Sequence, residues 1–266
     1  MIRASNWSRR AFVAFAVLLV VGCASLAGGP GPEVRNDLAP TGKLRVGVYP
    51  GSPTSLVRDA SGEARGVSVD LGRALAERLG VPYEQVEFAR LAQVLEAMKA
   101  GQVDFTVTNA TPARAADADF TAPIVNLELG YLVAKGSRVT AIADVDRPGI
   151  RVGVAQGSTS QATLTRELKS AVVVPAPSLK VATEMLAKGE IDTFATNKGI
   201  LSEMADSLAG ARILDGRWGL EHLAIAIPKG RTAGLPYVKQ FAEDAKASGL
   251  VARAADRAGL RGTVNP

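Results

Sequence analysis

Two long apolar runs, Leu127–Ala134 and Leu220–Ile227, divide a chain that otherwise alternates short β-rich runs with amphipathic helical segments. Lys43–Val48 alternates apolar and polar residues and reads as a strand. Val67–Leu79 carries Val69, Leu71, Leu75 and Leu79 near one helical face before Gly80 and Pro82 stop it. A strand at Tyr83–Phe88, a helix at Ala92–Ala100 and a strand at Val103–Thr108 complete the first series. The second runs strand Ile150–Ala155, helix Thr159–Leu168, strand Ala171–Val174, helix Leu179–Ala187, strand Ile191–Thr196 and helix Lys198–Ser207. Helices around Leu235–Ala247 and Leu250–Ala258 close the chain. The repeat lies in the order of elements and not in strong residue identity.

Such a rhythm implies an α/β fold with mostly parallel strands and helices on both faces. Two units joined by two long strands imply two parallel-type sheets and a two-strand hinge crossed twice. Residues 43–134 plus 228–266 would form lobe one, and residues 135–227 lobe two. Ligands of open α/β sheets sit beyond the carboxyl ends of the strands, so the cleft between the lobes is the expected site.

The first 22 residues read as an export leader: Arg3, Arg9 and Arg10, then the apolar run Ala11–Val21, then small residues. About 11 apolar residues are too few to span a ~30 Å hydrocarbon core. The run ends in Val20-Val21-Gly22-Cys23, which resembles the lipobox of bacterial lipoproteins and implies acylation of Cys23. Several buried acyl chains at ~0.8 kcal/mol per CH₂ make a stable anchor. Ser8-Arg9-Arg10-Ala11-Phe12 also resembles a twin-arginine export signal, so both export routes stay open. Residues 23–42, rich in Gly, Pro and Ala, are expected to be a flexible tether. Without the leader's three arginines the formal charge of +5 falls to 28 basic against 26 acidic residues. A body so near neutrality, with no basic stripe, gives no reason to expect a nucleic-acid partner. One Cys and one His exclude an intrachain disulfide and any multi-Cys or multi-His metal site.

Six segments in order resemble the periplasmic solute-binding protein family 3, the polar amino-acid receptors of ABC importers. They are Gly42-Lys43-Leu44-Arg45-Val46-Gly47-Val48, Gly66-Val67-Ser68-Val69-Asp70-Leu71, Met98-Lys99-Ala100-Gly101-Gln102-Val103-Asp104, Thr111-Pro112-Ala113-Arg114, Asp119-Phe120-Thr121-Ala122-Pro123 and Val152-Gly153-Val154-Ala155-Gln156-Gly157-Ser158-Thr159. The resemblance implies the two-lobed type II binding-protein fold and a set of ligand contacts. Arg114 would grip a carboxylate as a planar, permanently charged fork. Asn109 stands where the family usually has a hydroxyl. Gly157-Ser158-Thr159 opens a helix whose N–H groups suit an anion, with Thr159 contacting the carboxylate and Ser158 serving as N-cap.

Two departures alter what the resemblance implies. The family's ammonium-binding aspartate, five residues after Asp192, is here Asn197. A neutral amide forfeits the charge-assisted contact, on the order of 1 kcal/mol or more. Leu91 stands near the usual Phe or Trp position, and Gly51–Thr54 lacks the expected Tyr and Phe. The carboxylate grip is kept while the ammonium grip and stacking surface are lost, so the expected ligand is a small anion or amino-acid-like molecule. His222, Asp70 and Asp192 read as structural, and Trp218 and Tyr131 either line the hinge or simply pack.

The expected function is therefore that of a monomeric, lipid-anchored solute-binding protein on the extracytoplasmic face, serving an ABC permease, with no cofactor and no chemistry. A competing function is that of an enzyme resembling periplasmic cyclohexadienyl dehydratases, which needs a cleft acid to protonate the leaving hydroxyl. Asn197 cannot supply it, and no other acid can be assigned to the cleft from the sequence. No G-x-S-x-G, H-E-x-x-H or P-loop signature is present. A clamp that senses a ligand, or one that binds a protein, would also suit the fold.

Overall fold

The computed structural model describes residues 29–264; the leader and Cys23 lie outside the described residues. The chain opens with α1 (Pro32–Leu38), then β1 (Leu44–Val48), the small hairpin β2 (Val57–Arg58) and β3 (Ala64–Arg65), and α2 (Val67–Leu79). β4 (Tyr83–Glu87), α3 (Leu91–Lys99), β5 (Thr106–Asn109), β6 (Ala118–Phe120) and the long β7 (Val125–Val133) follow. The second series is β8 (Arg151–Ala155), α4 (Thr159–Glu167), β9 (Val172–Ala176), α5 (Leu179–Ala187), β10 (Thr193–Asn197) and α6 (Lys198–Ser207). β11 (Arg212–Ile213), the long β12 (Gly219–Pro228), α7 (Gly234–Ala247), α8 (Leu250–Arg257) and β13 (Thr263–Val264) complete it.

The fold is two-lobed α/β, but its strands are not two separate parallel sheets. β1 and β4 pair in parallel, as do β8 with β9 and β10 with β8. β7 and β12 run antiparallel to each other; β7 is also antiparallel to β10, and β12 to β5. One hydrogen-bonded path therefore runs β5-β12-β7-β10-β8-β9, and a bridge from Val46 to Phe105 ties the β1–β4 pair to it. The cause is length: each long strand has residues enough to pair in both units.

Alternation on the sheet and 3.6-residue periodicity on the helices bury one face of each element. Val46, Val48, Leu71, Leu75 and Leu79 meet Phe105, Ile225, Ile227, Val238 and Phe241 in one core. Val152, Val154, Val139, Leu164 and Leu214 form a second on the far side of the second unit. A third joins Tyr49, Val94 and Met98 to Leu179, Leu186, Phe194 and Ile200, drawing on both units. Leu179 lies so near Gly51 that a Cβ there would meet its Cδ1 at 3.3 Å.

The stretch expected to be a tether through residue 42 is ordered at its carboxyl end. Pro32 starts α1, where its missing N–H costs nothing. Leu38 is buried in the first core, and Asp37 Oδ2 accepts the Gly234 N–H at 2.7 Å, fixing α1 against α7. Arg35 Nε adds a hydrogen bond to the Leu79 carbonyl at 3.1 Å, and Val34 packs against the same core, contacts made by single residues that composition does not register.

Candidate functional site

The cleft lies where the carboxyl ends of β1, β5, β8 and β10 face one another across the long strands. Its walls include Tyr49, Thr54, Leu91, Thr108, Asn109, Arg114, Ser158, Thr159, Asn197 and Glu221. The cavity measures about 50 Å³. All six positions singled out from the sequence line it: Arg114, Asn109, Thr159, Ser158, Asn197 and Leu91.

Arg114 starts a short 3-10 turn (Arg114–Ala116) after β5, and its backbone N–H donates to Thr111 Oγ1 at 3.3 Å. Its Nη1 donates to Thr108 Oγ1 at 2.8 Å and to the Asn109 carbonyl at 3.1 Å. Those contacts aim the guanidinium and leave Nε and Nη2 without a hydrogen-bond partner among the described residues. Burial lowers the Arg114 pKa, while the charges of Glu221 and Tyr49 act to raise it.

Asn109, at the end of β5, is held by its amide oxygen, which accepts the His222 N–H at 2.9 Å. Its Nδ2 donates to Thr159 Oγ1 at 3.4 Å, across the cleft. Ser158 caps α4, its Oγ accepting from Gln161 N at 3.1 Å. Thr159, the first residue of α4, turns its hydroxyl inward and donates to Glu221 Oε1 at 3.2 Å. Gly157 marks another close approach: with φ +75°, a Cβ there would lie 2.7 Å from Ala92 Cβ. Asn197 ends β10 and caps α6, its Oδ1 accepting from Ile200 N at 3.0 Å. Its Nδ2 donates to Glu221 Oε2 at 2.9 Å.

Glu221 escaped the sequence reading. It is 8% exposed, with Thr159 and Asn197 each donating to one of its oxygens. No Lys, Arg or His lies within ion-pair distance of it among the described residues. Burial raises its pKa, and the Asn197 hydrogen bond, the Arg114 charge and the Thr159 hydrogen bond oppose that rise. A signal was available: strand alternation puts Glu221 on the same face as Leu223, Ile225 and Ile227, all buried. An acid on that face is a buried acid, which is rare without a purpose.

Tyr49 is an aromatic on the cleft wall outside the positions singled out from the sequence. It stands one residue past β1, is 9% exposed, and lines the cleft two residues before the Gly51–Thr54 stretch. Arg90 also borders the cleft, and its buried Nε has no hydrogen-bond partner in the described structure. His222 is exposed, its Nδ1 2.8 Å from Asn126 Oδ1. Trp218 donates through Nε1 to the Gly130 carbonyl at 2.9 Å, its ring 6.0 Å from that of Tyr131. Asp70 pairs with Arg257 and Asp192 with Arg151, both outside the cleft. Among the described residues no His, Cys, Asp and Glu cluster could hold a metal ion, and no helix is long and apolar enough to cross a membrane.

The geometry can be set beside known proteins. The chain is similar to the ABC transporter glutamine-binding protein GlnH of Bacillus subtilis, 24% identical over 230 residues, covering 82% of this chain and 84% of that protein. It is 26% identical over 199 residues to the L-arginine-binding protein of Pseudomonas aeruginosa, covering 70% and 76%. Among solved structures, the ancestral amino acid-binding protein AncCDT-1, a precursor of cyclohexadienyl dehydratase, superposes with a TM-score of 0.74 at 24% identity. That match covers 84% of this chain and 98% of the other, and shares the fold. The family described as bacterial extracellular solute-binding proteins, family 3, matches residues 44–259, and the chain belongs to it.

Proposed function

We propose that this protein captures a small amino acid or related carboxylate and delivers it to an ABC importer in the membrane. Residues 43–134 with 228–266 act as lobe one and residues 135–227 as lobe two, closing over the ligand by hinge motion of the long strands. The protein works as a monomer on the extracytoplasmic face, held by lipid on Cys23. The supports are the family, the amino-acid receptors among its relatives, and the lipobox-like end of the leader. The observation that carries the reading is Arg114, half-buried on the cleft wall with Nε and Nη2 free to donate in parallel to a carboxylate.

The test is thermal unfolding of residues 24–266 against amino acids, dicarboxylates, keto acids and aromatic acids. A ligand at ~100 times its Kd adds about 2.7 kcal/mol. That is several degrees for lobes of this size. At least one carboxylate raises the melting temperature and Arg114→Ala abolishes the rise. No shift from any carboxylate contradicts the reading.

One observation favours a second reading. A dehydratase needs a cleft acid, and Glu221 is a buried carboxyl whose pKa burial raises. Incubation with prephenate separates the two: recovery of prephenate unchanged supports the receptor, and decarboxylative dehydration that Glu221→Gln abolishes supports the enzyme.

A further inference from the structure

We propose that Glu221, rather than the residue at position 197, receives the α-ammonium of the ligand, so that the captured molecule is a zwitterionic amino acid spanning Arg114 and Glu221. The inference rests on the receptor reading and names the ligand class for that cleft. It reverses the expectation, drawn from Asn197 alone, that ammonium recognition is lost.

Asn197 has no negative charge to offer. Its amide oxygen is committed to the first turn of α6 through Ile200 N, and its Nδ2 donates to Glu221. A neutral amide so engaged offers an ammonium at most one uncharged acceptor direction, without the charge-assisted part of the contact. What it does is hold a carboxylate: the acid that position 197 lacks bonds to it from β12, on the other side of β7.

The state of Glu221 calls for a cation. A carboxylate taken out of water is costly unless it is paired. Glu221 is 8% exposed and receives two hydrogen bonds from neutral groups, 2.9 Å from Asn197 and 3.2 Å from Thr159. Each carboxylate oxygen has a second lone-pair direction, so capacity remains for the donors of an ammonium. The acid borders the same cavity as Arg114. Cation and anion on the walls of one small cavity match the opposite ends of a zwitterion. Thr159 serves both partners, accepting from Asn109 in the first unit and donating to Glu221 on the connecting strand.

The test is calorimetric titration of residues 24–266 with the proteinogenic L-amino acids and the carboxylates that lack only the α-ammonium, such as propionate for L-alanine and glutarate for L-glutamate. The wild-type protein binds at least one amino acid and loses at least ~30-fold in affinity for its deaminated counterpart. Glu221→Gln costs that amino acid a similar factor, and the double variant Glu221→Gln/Asn197→Asp recovers most of it by moving the charge across β7 to the end of β10. Asp at 197 can still cap α6, so the double variant keeps its fold. Equal binding of an amino acid and its deaminated partner to the wild-type protein overturns this inference while leaving the Arg114 reading intact, and needs no variant. Retention of affinity within about threefold in folded Glu221→Gln overturns it too. Binding of neither class overturns the receptor reading and this inference together.

Discussion

The two α/β units use one structural device at corresponding places. In the first, Arg45 opens the run Arg45-Val46-Gly47-Val48, and its backbone N–H and side chain both bond to Asp104. In the second, Arg151 opens Arg151-Val152-Gly153-Val154 and makes the same contacts to Asp192. Each aspartate follows its unit's second helix by way of Gly101 or Gly189, and each locks that connection to the start of a strand. The setting differs. Asp104 is 1% exposed and also approached by Arg231 at 3.5 Å, whereas the second lock is open to water, its Arg151 side chain 42% exposed. Burial acts to raise Asp192, yet the hydrogen bonds and charge of Arg151, with help from Arg138, hold it below the usual carboxylate range.

The duplication stops at the cleft. After β5 comes a turn that carries Arg114, and after β10 comes Asn197 capping a helix, with the negative charge supplied by the connecting strand. The scaffold is repeated and, on the proposed reading, the chemistry is divided: one unit supplies the cation, and the strand between the units supplies the anion. If the lobes close as proposed, a zwitterion bound that way would bridge parts that move relative to one another, and binding and closure would become one event.

The largest expected effect separates the two locks. Asp104→Ala strands two arginines that are mostly buried and costs about 3–5 kcal/mol in chemical denaturation. Asp192→Ala, in contact with solvent, costs about 1–3 kcal/mol. Equal losses would mean that the difference in burial carries no energetic weight.

A smaller contrast lies in the paired glycines. A Cβ on Gly47 would stand 2.7 Å from Val94 Cγ1 and 2.8 Å from Val103 Cγ1. On Gly153 it would meet Ile191 Cδ1 at 2.3 Å and Phe194 Cδ2 at 3.0 Å. Overpacking of this kind costs about 1–3 kcal/mol. The valine methyls sit on stiff β-branched stems, whereas Ile191 Cδ1 is the end of a rotatable one. Gly47→Ala therefore destabilises more than Gly153→Ala, despite the shorter initial contact in the second unit. The reverse order, read from denaturant midpoints, would show that the closest atom matters more than its freedom to move.

The smallest effect is electrostatic and belongs to the connecting strand. Burial raises the Glu221 pKa in the folded protein, so the native state keeps that proton to higher pH than the unfolded chain. The contribution to stability is full below the ordinary value of 4.5 and is lost as pH rises through the folded value. The ligand-free melting temperature of the wild-type protein falls relative to Glu221→Gln over that window, and a bound amino acid narrows the gap. Parallel pH profiles for the two proteins would contradict the assignment.

Much of this was legible in the sequence, and the pattern of hits and misses has physical causes. Helices such as Val67–Leu79, Leu179–Ala187 and Lys198–Ser207 announce themselves by periodicity and by clear stops. The short strands β2, β3, β6, β11 and β13 have too few residues to show a period, and their pairing is tertiary. The cleft positions are legible through local motifs, because Arg114 opens a recognisable turn and Thr159 a recognisable helix. Glu221 is not, because its meaning depends on a partner 24 residues earlier and on which face of β12 it occupies. Tyr49 was missed for a similar reason: it lies just before the segment searched for an aromatic, and only the packing of Leu179 and Val94 in the same cluster shows that it turns into the cleft wall. The tether was drawn too long because composition averages over a segment, whereas Leu38 and Asp37 fix α1 one contact at a time.

The most direct test of the account is a crystal structure of residues 24–266 with the amino acid that binds most tightly in calorimetry. The account predicts its carboxylate within hydrogen-bond distance of Arg114 Nε and Nη2 and its ammonium against Glu221, with Asn197 still bonded to that glutamate. A ligand whose ammonium lies away from Glu221, or whose carboxylate avoids Arg114, would contradict it.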